Sequence, residues 1–314
     1  MDRNCPDTGA GRRKARAWGM LLLAPLALAL PAKAIPNAPD ALSAAPVLAA
    51  DSSEMRVLRI GRRLAQAARP ECPGQHLPAP LLLHDLTSYP ARERPAVAAE
   101  TGLGEGFGVR GAVDGPLRAD DEIIGASGAF ALPVTRGASR HGSHDRVSAF
   151  EHRLAAALTK GAVPLQVRRG DTAQVVVIQA EAGCAARTVL VAGKVADAWS
   201  DSQTIAVTSA LAAMADDDEM AFVVGHEMAH IIARDGTGAQ WLSSFGIGAN
   251  RARNREITAD RLGALLARRA GFDPHAATRL LVRLARVRDL DHAASHPGSA
   301  ARIAAIEHAL ASGR

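Results

Sequence analysis

Aromatic residues are scarce in this chain. Phe, Trp and Tyr make up 3% of its 314 residues, and there is a single Tyr. No basic stripe with interleaved aromatic residues is present, and such a stripe is typical of proteins that bind nucleic acid. We therefore expect no nucleic-acid partner, and hydrophobic cores built from Ala, Val, Leu and Ile.

Long hydrophobic runs are also missing. Residues 18–30 form a short apolar stretch that contains Pro25, a basic cluster precedes it at residues 12–16, and an A-x-A cleavage pattern follows at residues 32–34. The stretch is short for a membrane span, and the three features together predict a cleaved secretory signal peptide over residues 1–34. The expected location is the periplasm; the alternative is an inner-membrane anchor formed by the uncleaved segment.

The net charge of +5 comes largely from that leader. Residues 1–34 hold six of the 37 basic and two of the 32 acidic side chains, so the remaining chain carries about +1. Removal of the leader also removes one of the three cysteines and leaves Cys72 and Cys184. An even pair in an oxidising compartment predicts a disulfide, with two buried thiols as the alternative.

The sequence His-Glu-Met-Ala-His at residues 226–230 is an HExxH motif, which occurs at the zinc site of many metallopeptidases. Positions i and i+4 share one helix face, so His226 and His230 can bind one metal ion while Glu227 reaches its open coordination position. Residues 214–233 predict a single helix with acidic residues at its start. The alternative is a buried helix with two hydrogen-bonded histidines.

Gly225, directly before His226, is the one residue between Glu219 and Ala233 that breaks the helical pattern, and a close approach of another backbone would explain it. A third ligand is needed as well, because catalytic zinc takes three protein ligands. Glu256 is a candidate, at the start of a helix predicted to run to about residue 270. Asp260 lies on the same face and could orient a ligand histidine. The alternative is a solvated face neutralised by nearby arginines.

The motif followed by Glu-x-x-Ala-Asp at residues 256–260 resembles peptidase family M48, which includes HtpX-type membrane proteases, CAAX prenyl proteases and periplasmic proteases that survey outer-membrane assembly. The resemblance covers about residues 185–310. It implies that His226, His230 and Glu256 bind one Zn²⁺ per chain and that Glu227 is the general base.

Two further segments resemble that family. Ser-His-Pro at residues 295–297, followed by Arg302, is similar to its His-Pro…Arg element, so His296 and Arg302 are candidate catalytic residues. His296 could instead cap the metal or begin a helix, and Arg302 could hold a carboxylate or be a surface charge. Asp-Ala-Trp at residues 197–199 stands where the family commonly has Asn-Ala-Phe. The strand after it is the expected edge strand for substrate: Thr204, Ile205, Ala206, Val207 and Thr208.

A second, smaller domain is predicted at residues 95–180, after a linker and helix at residues 35–94. Its predicted elements follow the order seen in a PDZ domain. They are strands at residues 107–113 and 121–124, a helix at 146–158 and a hairpin over 163–178. The Gly-rich segment at residues 102–106 could then capture a peptide C-terminus, with residues 107–109 pairing the peptide; the alternative is a flexible linker.

The expected fold class is α+β: a mainly helical zincin-type metallopeptidase domain over residues 185–314, with a short edge-strand sheet, preceded by the PDZ-like domain. The expected function is zinc-dependent endoproteolysis of misfolded or unassembled cell-envelope proteins. The expected partners are protein or peptide substrates, and peripheral contact with the membrane is a further possibility. The alternative is a periplasmic peptide-binding or chaperone protein whose zinc site is latent or structural. An aminopeptidase is a further alternative.

Overall fold

The computed structural model describes residues 52–126, 141–234, 249–287 and 298–313. The predicted signal peptide and almost all of the predicted linker lie outside these ranges. Within them, no helix combines the length and the apolar character that crossing a membrane would need.

The N-terminal part consists of helices and a meander of five strands. After α1 (Ser52–Ala67), the elements are β1 (Leu81–His84), α2 (Arg94–Thr101), β2 (Phe107–Ala112), β3 (Glu122–Ala126), α3 (Asp145–Leu158), β4 (Val163–Arg169) and β5 (Thr172–Ile178). All neighbouring strands are antiparallel, and their order in the sheet is their order in the chain. The predicted strands, helix and hairpin are thus present, and the PDZ-like assignment stays a prediction.

Helix α3 covers one face of this sheet. Phe150, Leu154 and Leu158 recur at helical spacing and are buried against strand residues such as Phe107 and Ile123. The Phe107 and Phe150 rings stack with centroids 4.5 Å apart. The alternation of buried and exposed positions along β4 shows that only one face of the sheet joins this core.

The Gly-rich segment before β2 does not offer its backbone to a peptide. The N–H groups of Gly104 and Gly106 each donate to Glu122 Oε1 at 2.9 Å. Strand β2 lies between β1 and β3, and Gly108 is paired on both sides. An internal carboxylate thus occupies N–H groups of residues 102–106, and two strands occupy the edges of β2. The hypothesis that residues 102–106 capture a peptide C-terminus, with residues 107–109 pairing the peptide, is therefore wrong for this conformation.

The C-terminal part holds a second, three-stranded sheet and five helices among the described residues. Its elements are β6 (Arg187–Val191), β7 (Ala198–Ser200), β8 (Thr204–Thr208), α4 (Ser209–Met214), α5 (Asp217–Ala233), α6 (Ala249–Arg269), α7 (Ala276–Val287) and α8 (Ser299–Ser312). The sheet order is β6-β8-β7, with β8 parallel to β6 and antiparallel to β7. The α+β class is therefore confirmed, whereas the zincin type stays a prediction.

Helix α1 belongs to the core of this C-terminal part. Val57, Ile60 and Leu64 lie on one face and are buried in the same cluster as Ile205 of β8 and Met228 of α5. The segments that follow α1 and precede β6 are joined covalently, because Cys72 and Cys184 form a disulfide.

Replacement of both Cys72 and Cys184 by Ser is expected to lower the free energy of unfolding by about 2–5 kcal/mol, because the bond closes a long loop in the unfolded chain. The two cysteines are 112 residues apart in sequence. Chemical denaturation of the oxidised chain and of the double variant measures the difference. Equal midpoints and slopes would show that the bond adds nothing to stability.

Candidate metal centre

Helix α5 carries the HExxH motif and is fixed at its N-terminus by a capping box. Asp216 accepts a hydrogen bond from the Glu219 N–H at 2.8 Å, and the Glu219 side chain accepts one from the Asp216 N–H at 3.0 Å. The predicted single helix over residues 214–233 is therefore wrong at its start. Met214 ends α4, and the cap at Asp216 begins a separate helix at Asp217.

Helix α6 supplies the remaining candidate ligand. It begins at Ala249 and ends at Arg269, so Glu256 lies in its second turn and not at its start as expected. Glu256 and Asp260 are one turn apart on the face that meets α5, and Asp260 is fully buried there. Burial of two carboxylates on one face is costly unless cations or donors neutralise them.

A glycine pair brings α5 and α6 close together. A Cβ atom added at Gly225 would lie 2.8 Å from the carbonyl oxygen of Gly263, and one added at Gly263 would lie 2.7 Å from the backbone nitrogen of His226. The predicted close backbone approach at Gly225 is therefore confirmed. Larger residues at either position would separate the helices and move the histidines away from Glu256.

Three ligand side chains converge where the two helices meet. The Nε2 atoms of His226 and His230 are 3.2 Å apart. Glu256 Oε2 lies 3.6 Å from His226 Nε2, and Glu256 Oε1 lies 3.7 Å from His230 Nε2. Ligand atoms at zinc-bond lengths on three corners of a tetrahedron are about 3.4 Å apart. The donor set thus fits a single zinc-sized cation and leaves a fourth corner open.

The electrostatics of His226 also favour a cation at this point. Burial alone would lower the pKa of His226, but hydrogen bonds with Asp260 and Glu256 and the charges of Asp260 and Glu227 raise it to about 10. A proton on this ring is stabilised by the surrounding carboxylates, and a bound divalent cation would be stabilised by the same charges.

A buried ion pair orients the His226 ring. Its Nδ1 lies 2.9 Å from Asp260 Oδ1, and Arg302 of α8 donates from Nε and an Nη to the two Asp260 oxygens at 2.7 and 2.6 Å. Burial raises the pKa of Asp260, but the hydrogen bonds from Arg302 and His226 outweigh burial and hold it below its ordinary value. A carboxylate fixed in this way keeps Nε2 directed at the metal position.

Arg302 contacts a carboxylate, which is one of the roles considered for it. Two of its guanidinium nitrogens donate to Asp260, and its side chain is largely buried. It therefore holds Asp260 in place, and its catalytic role stays a prediction. Asp260 is placed where the prediction put it, beside a candidate ligand. His296 lies outside the described residues.

Replacement of Arg302 by Lys is expected to weaken zinc binding by about 10–100-fold, because a lysine ammonium cannot form the two-pronged contact that fixes Asp260. Competition with a chromogenic chelator measures the affinity. Arg279→Lys serves as the matched control, since Arg279 forms an exposed ion pair with Asp273 elsewhere on the chain. Equal zinc affinities for the two variants would show that Asp260 needs no second partner.

Ser200 contacts the proposed general base and was missed in the sequence. Its Oγ donates to Glu227 Oε2 at 2.8 Å, from the last residue of β7. No motif indicates this serine, because the contact joins a short strand to a helix 27 residues away. This hydrogen bond restricts the orientation of the Glu227 carboxylate.

The strand expected to receive the substrate is not an edge strand. Strand β8, Thr204–Thr208, is paired along its length with β6 on one side and with β7 on the other. A peptide cannot add to it without displacing one of them, so this prediction is wrong. Strand β7, Ala198–Ser200, is the edge nearest the motif helix, and no described strand pairs with its outer side.

Comparison with known families agrees with this geometry. The model of the family described as Peptidase family M48 matches residues 169–245 and 239–310. Both candidate ligand helices and Arg302 lie inside the matched region. The match supports this family for the C-terminal part and, with it, a metal-dependent peptidase activity. No curated protein matches the chain.

Proposed function

We propose that this protein is a zinc-dependent endopeptidase that cleaves misfolded or unassembled proteins of the cell envelope. The observation that carries the proposal is the convergence of His226, His230 and Glu256 at distances suited to one tetrahedral ion. Zinc is favoured over calcium or magnesium, because two imidazole nitrogens and one carboxylate are its usual ligands at catalytic sites.

The chemistry is divided between the ion and the chain. Zinc, when bound, supplies a Lewis acid that polarises the scissile carbonyl and makes water more acidic. Glu227 accepts the proton of the attacking water and returns it to the leaving amine. Ser200 holds Glu227 by its Oε2 atom, and Oε1 is the oxygen proposed for this transfer. Asp260 and Arg302 keep the His226 ring in the required orientation.

The substrate backbone is proposed to pair with the outer side of β7. This strand runs beside α5, and its last residue contacts Glu227. An extended peptide placed there would be held by main-chain hydrogen bonds that do not depend on its sequence. Such binding suits a protease that acts on unfolded segments of many proteins, because a folded substrate does not present an extended strand.

The proposed compartment rests on the predicted signal peptide over residues 1–34 and on the disulfide. A Cys72–Cys184 bond is stable in the periplasm and rare in the reducing cytosol. Fractionation of cells that express the full chain tests the compartment. N-terminal sequencing of the recovered protein distinguishes cleavage after Ala34 from an uncleaved anchor.

Cleavage of a reduced and alkylated protein, compared with its native disulfide-bonded form, tests the activity. We expect the zinc-loaded chain to cut the unfolded form at internal sites, to lose activity with a chelator and to regain it on addition of zinc. Peptides with blocked and with free N-termini distinguish cleavage at internal bonds from cleavage at the N-terminus. Cleavage of peptides with free N-termini alone would show that the protein is an aminopeptidase and not an endopeptidase. A zinc-loaded chain that cuts neither form would refute the proposed catalysis.

A further inference from the structure

Strand β5 is an open edge of the five-stranded sheet. It pairs with β4 along its whole length, and no other described strand lies on its far side. Its seven residues, Thr172–Ile178, read Thr-Ala-Gln-Val-Val-Val-Ile and carry no charge. Native proteins usually protect such edges with lysine, proline or a bulge, because unpaired N–H and C=O groups recruit other strands.

The register shows which backbone groups of β5 face outward. Arg169 pairs with Thr172 across the two-residue turn at Gly170 and Asp171, so Thr172 and every second residue after it exchange hydrogen bonds with β4. Ala173, Val175 and Val177 alternate with these residues and direct their N–H and C=O groups away from β4. Among the described residues, no turn or loop forms a backbone hydrogen bond with these groups.

The outward-directed residues also carry exposed apolar side chains. Val175 is 61% exposed and Val177 is 41% exposed, whereas Val176 and Ile178 are buried in the core beneath α3. A valine that is this exposed on the solvent face of an edge strand contributes little packing energy to the monomer. The same two positions therefore offer a hydrogen-bonding edge and an apolar surface, and together they select an extended, uncharged strand as the partner.

We propose that this strand belongs to a second copy of the chain, and that two β5 strands pair antiparallel around a twofold axis at Val175. In this register Val175 lies opposite its own counterpart, and Ala173 lies opposite Val177 of the other copy. Every outward N–H and C=O then finds a partner, giving on the order of six new hydrogen bonds. No charged residue of β5 opposes a like charge.

A second copy satisfies this edge better than an unrelated peptide does. The strand is complementary to itself in hydrogen bonding and in side-chain character, and a twofold contact covers both copies of the edge at once. The assembly closes as a dimer with a continuous ten-stranded sheet and leaves neither β5 edge unpaired. The inference concerns the N-terminal sheet and does not depend on the proposed zinc chemistry.

Sedimentation equilibrium of the full processed chain tests the dimer. Val175→Lys is expected to raise the dimer dissociation constant at least 100-fold, because it places two like charges opposite each other at the axis. Val195→Lys is the matched control: Val195 is 62% exposed on a different segment, between β6 and β7. Thermal unfolding of each variant verifies that the monomer is intact.

Proline substitutions separate backbone pairing from side-chain contact. Val175→Pro removes an outward N–H only, a change that edge strands tolerate, and should abolish the dimer while the monomer stays folded. Val176→Pro removes a bond to β4 and should instead lower the unfolding temperature. A wild-type monomer at about 100 µM, or a dimer unaffected by Val175→Lys, would overturn the proposal. So would a monomer that binds an uncharged extended peptide in a Val175-dependent manner, since the partner would then be a foreign strand.

Discussion

Replacement of Glu227 by Gln is expected to abolish most of the proteolysis and to leave the metal in place. The amide cannot accept the proton of the attacking water, and loss of general-base catalysis lowers kcat/KM by about 10²–10⁴-fold. His226, His230 and Glu256 remain as ligands, so the zinc content should stay at one per chain. Cleavage of the unfolded substrate and elemental analysis of the same sample provide the two measurements.

Ser200→Ala gives a useful comparison for this variant. It removes the hydrogen bond to Glu227 Oε2 but keeps the carboxylate, so its effect on kcat should be clearly smaller than that of Glu227→Gln. If Glu227→Gln cleaves at the wild-type rate with zinc bound, another group is the base. If Glu227→Gln and the wild-type chain both suppress the aggregation of unfolded proteins and neither cleaves them, the peptide-binding alternative gains support.

Replacement of Glu256 by Ala is expected to empty the metal site. Two imidazoles on one turn of α5 then remain, and catalytic zinc sites use three protein ligands. Loss of an outer hydrogen-bond partner alone costs about 10–100-fold in affinity, so loss of a direct ligand should cost more. Zinc content after dialysis should fall well below one per chain, and activity should fall with it.

Two further variants serve as comparisons for Glu256→Ala. Asp260→Asn keeps all three ligands and should weaken binding by an intermediate amount, because the amide holds His226 Nδ1 less strongly. Glu307→Ala removes an exposed carboxylate on α8 that contacts Thr278 and should leave zinc unchanged. Full zinc retention in Glu256→Ala, with normal affinity, would exclude Glu256 as a ligand and reopen the search for the third one.

The chemistry of the site could be predicted from the sequence because it depends on short spacings. His226 and His230, and likewise Glu256 and Asp260, are four residues apart on a helix, and helical geometry alone brings each pair to one face. The acidic residues in the first turn of α5 indicated a helix there, although not its exact start, and Gly225 indicated a close helix contact. Each of these signals lies within about one or two helical turns of the residues it concerns.

The remaining features depend on contacts between distant parts of the chain. Strand β8 follows β7 in sequence, and nothing local shows that β6 pairs with its other side. The partner of Arg302 is 42 residues away, and that of Ser200 is on another element. Glu122 occupies the N–H groups of a loop 16 to 18 residues earlier. Periodicity carries no information about such pairings, which are set by the packing of the whole chain.

The contact between Gly225 and Gly263 has a consequence for protein engineering. The spacing between the two imidazoles and the Glu256 carboxylate is set by how closely the axes of α5 and α6 approach, and two missing side chains determine that distance. A designer who transplanted the histidines and the glutamate onto an ordinary pair of helices would obtain the right ligands too far apart. The glycines are therefore as much a part of a transferable zinc site as the residues that would touch the ion.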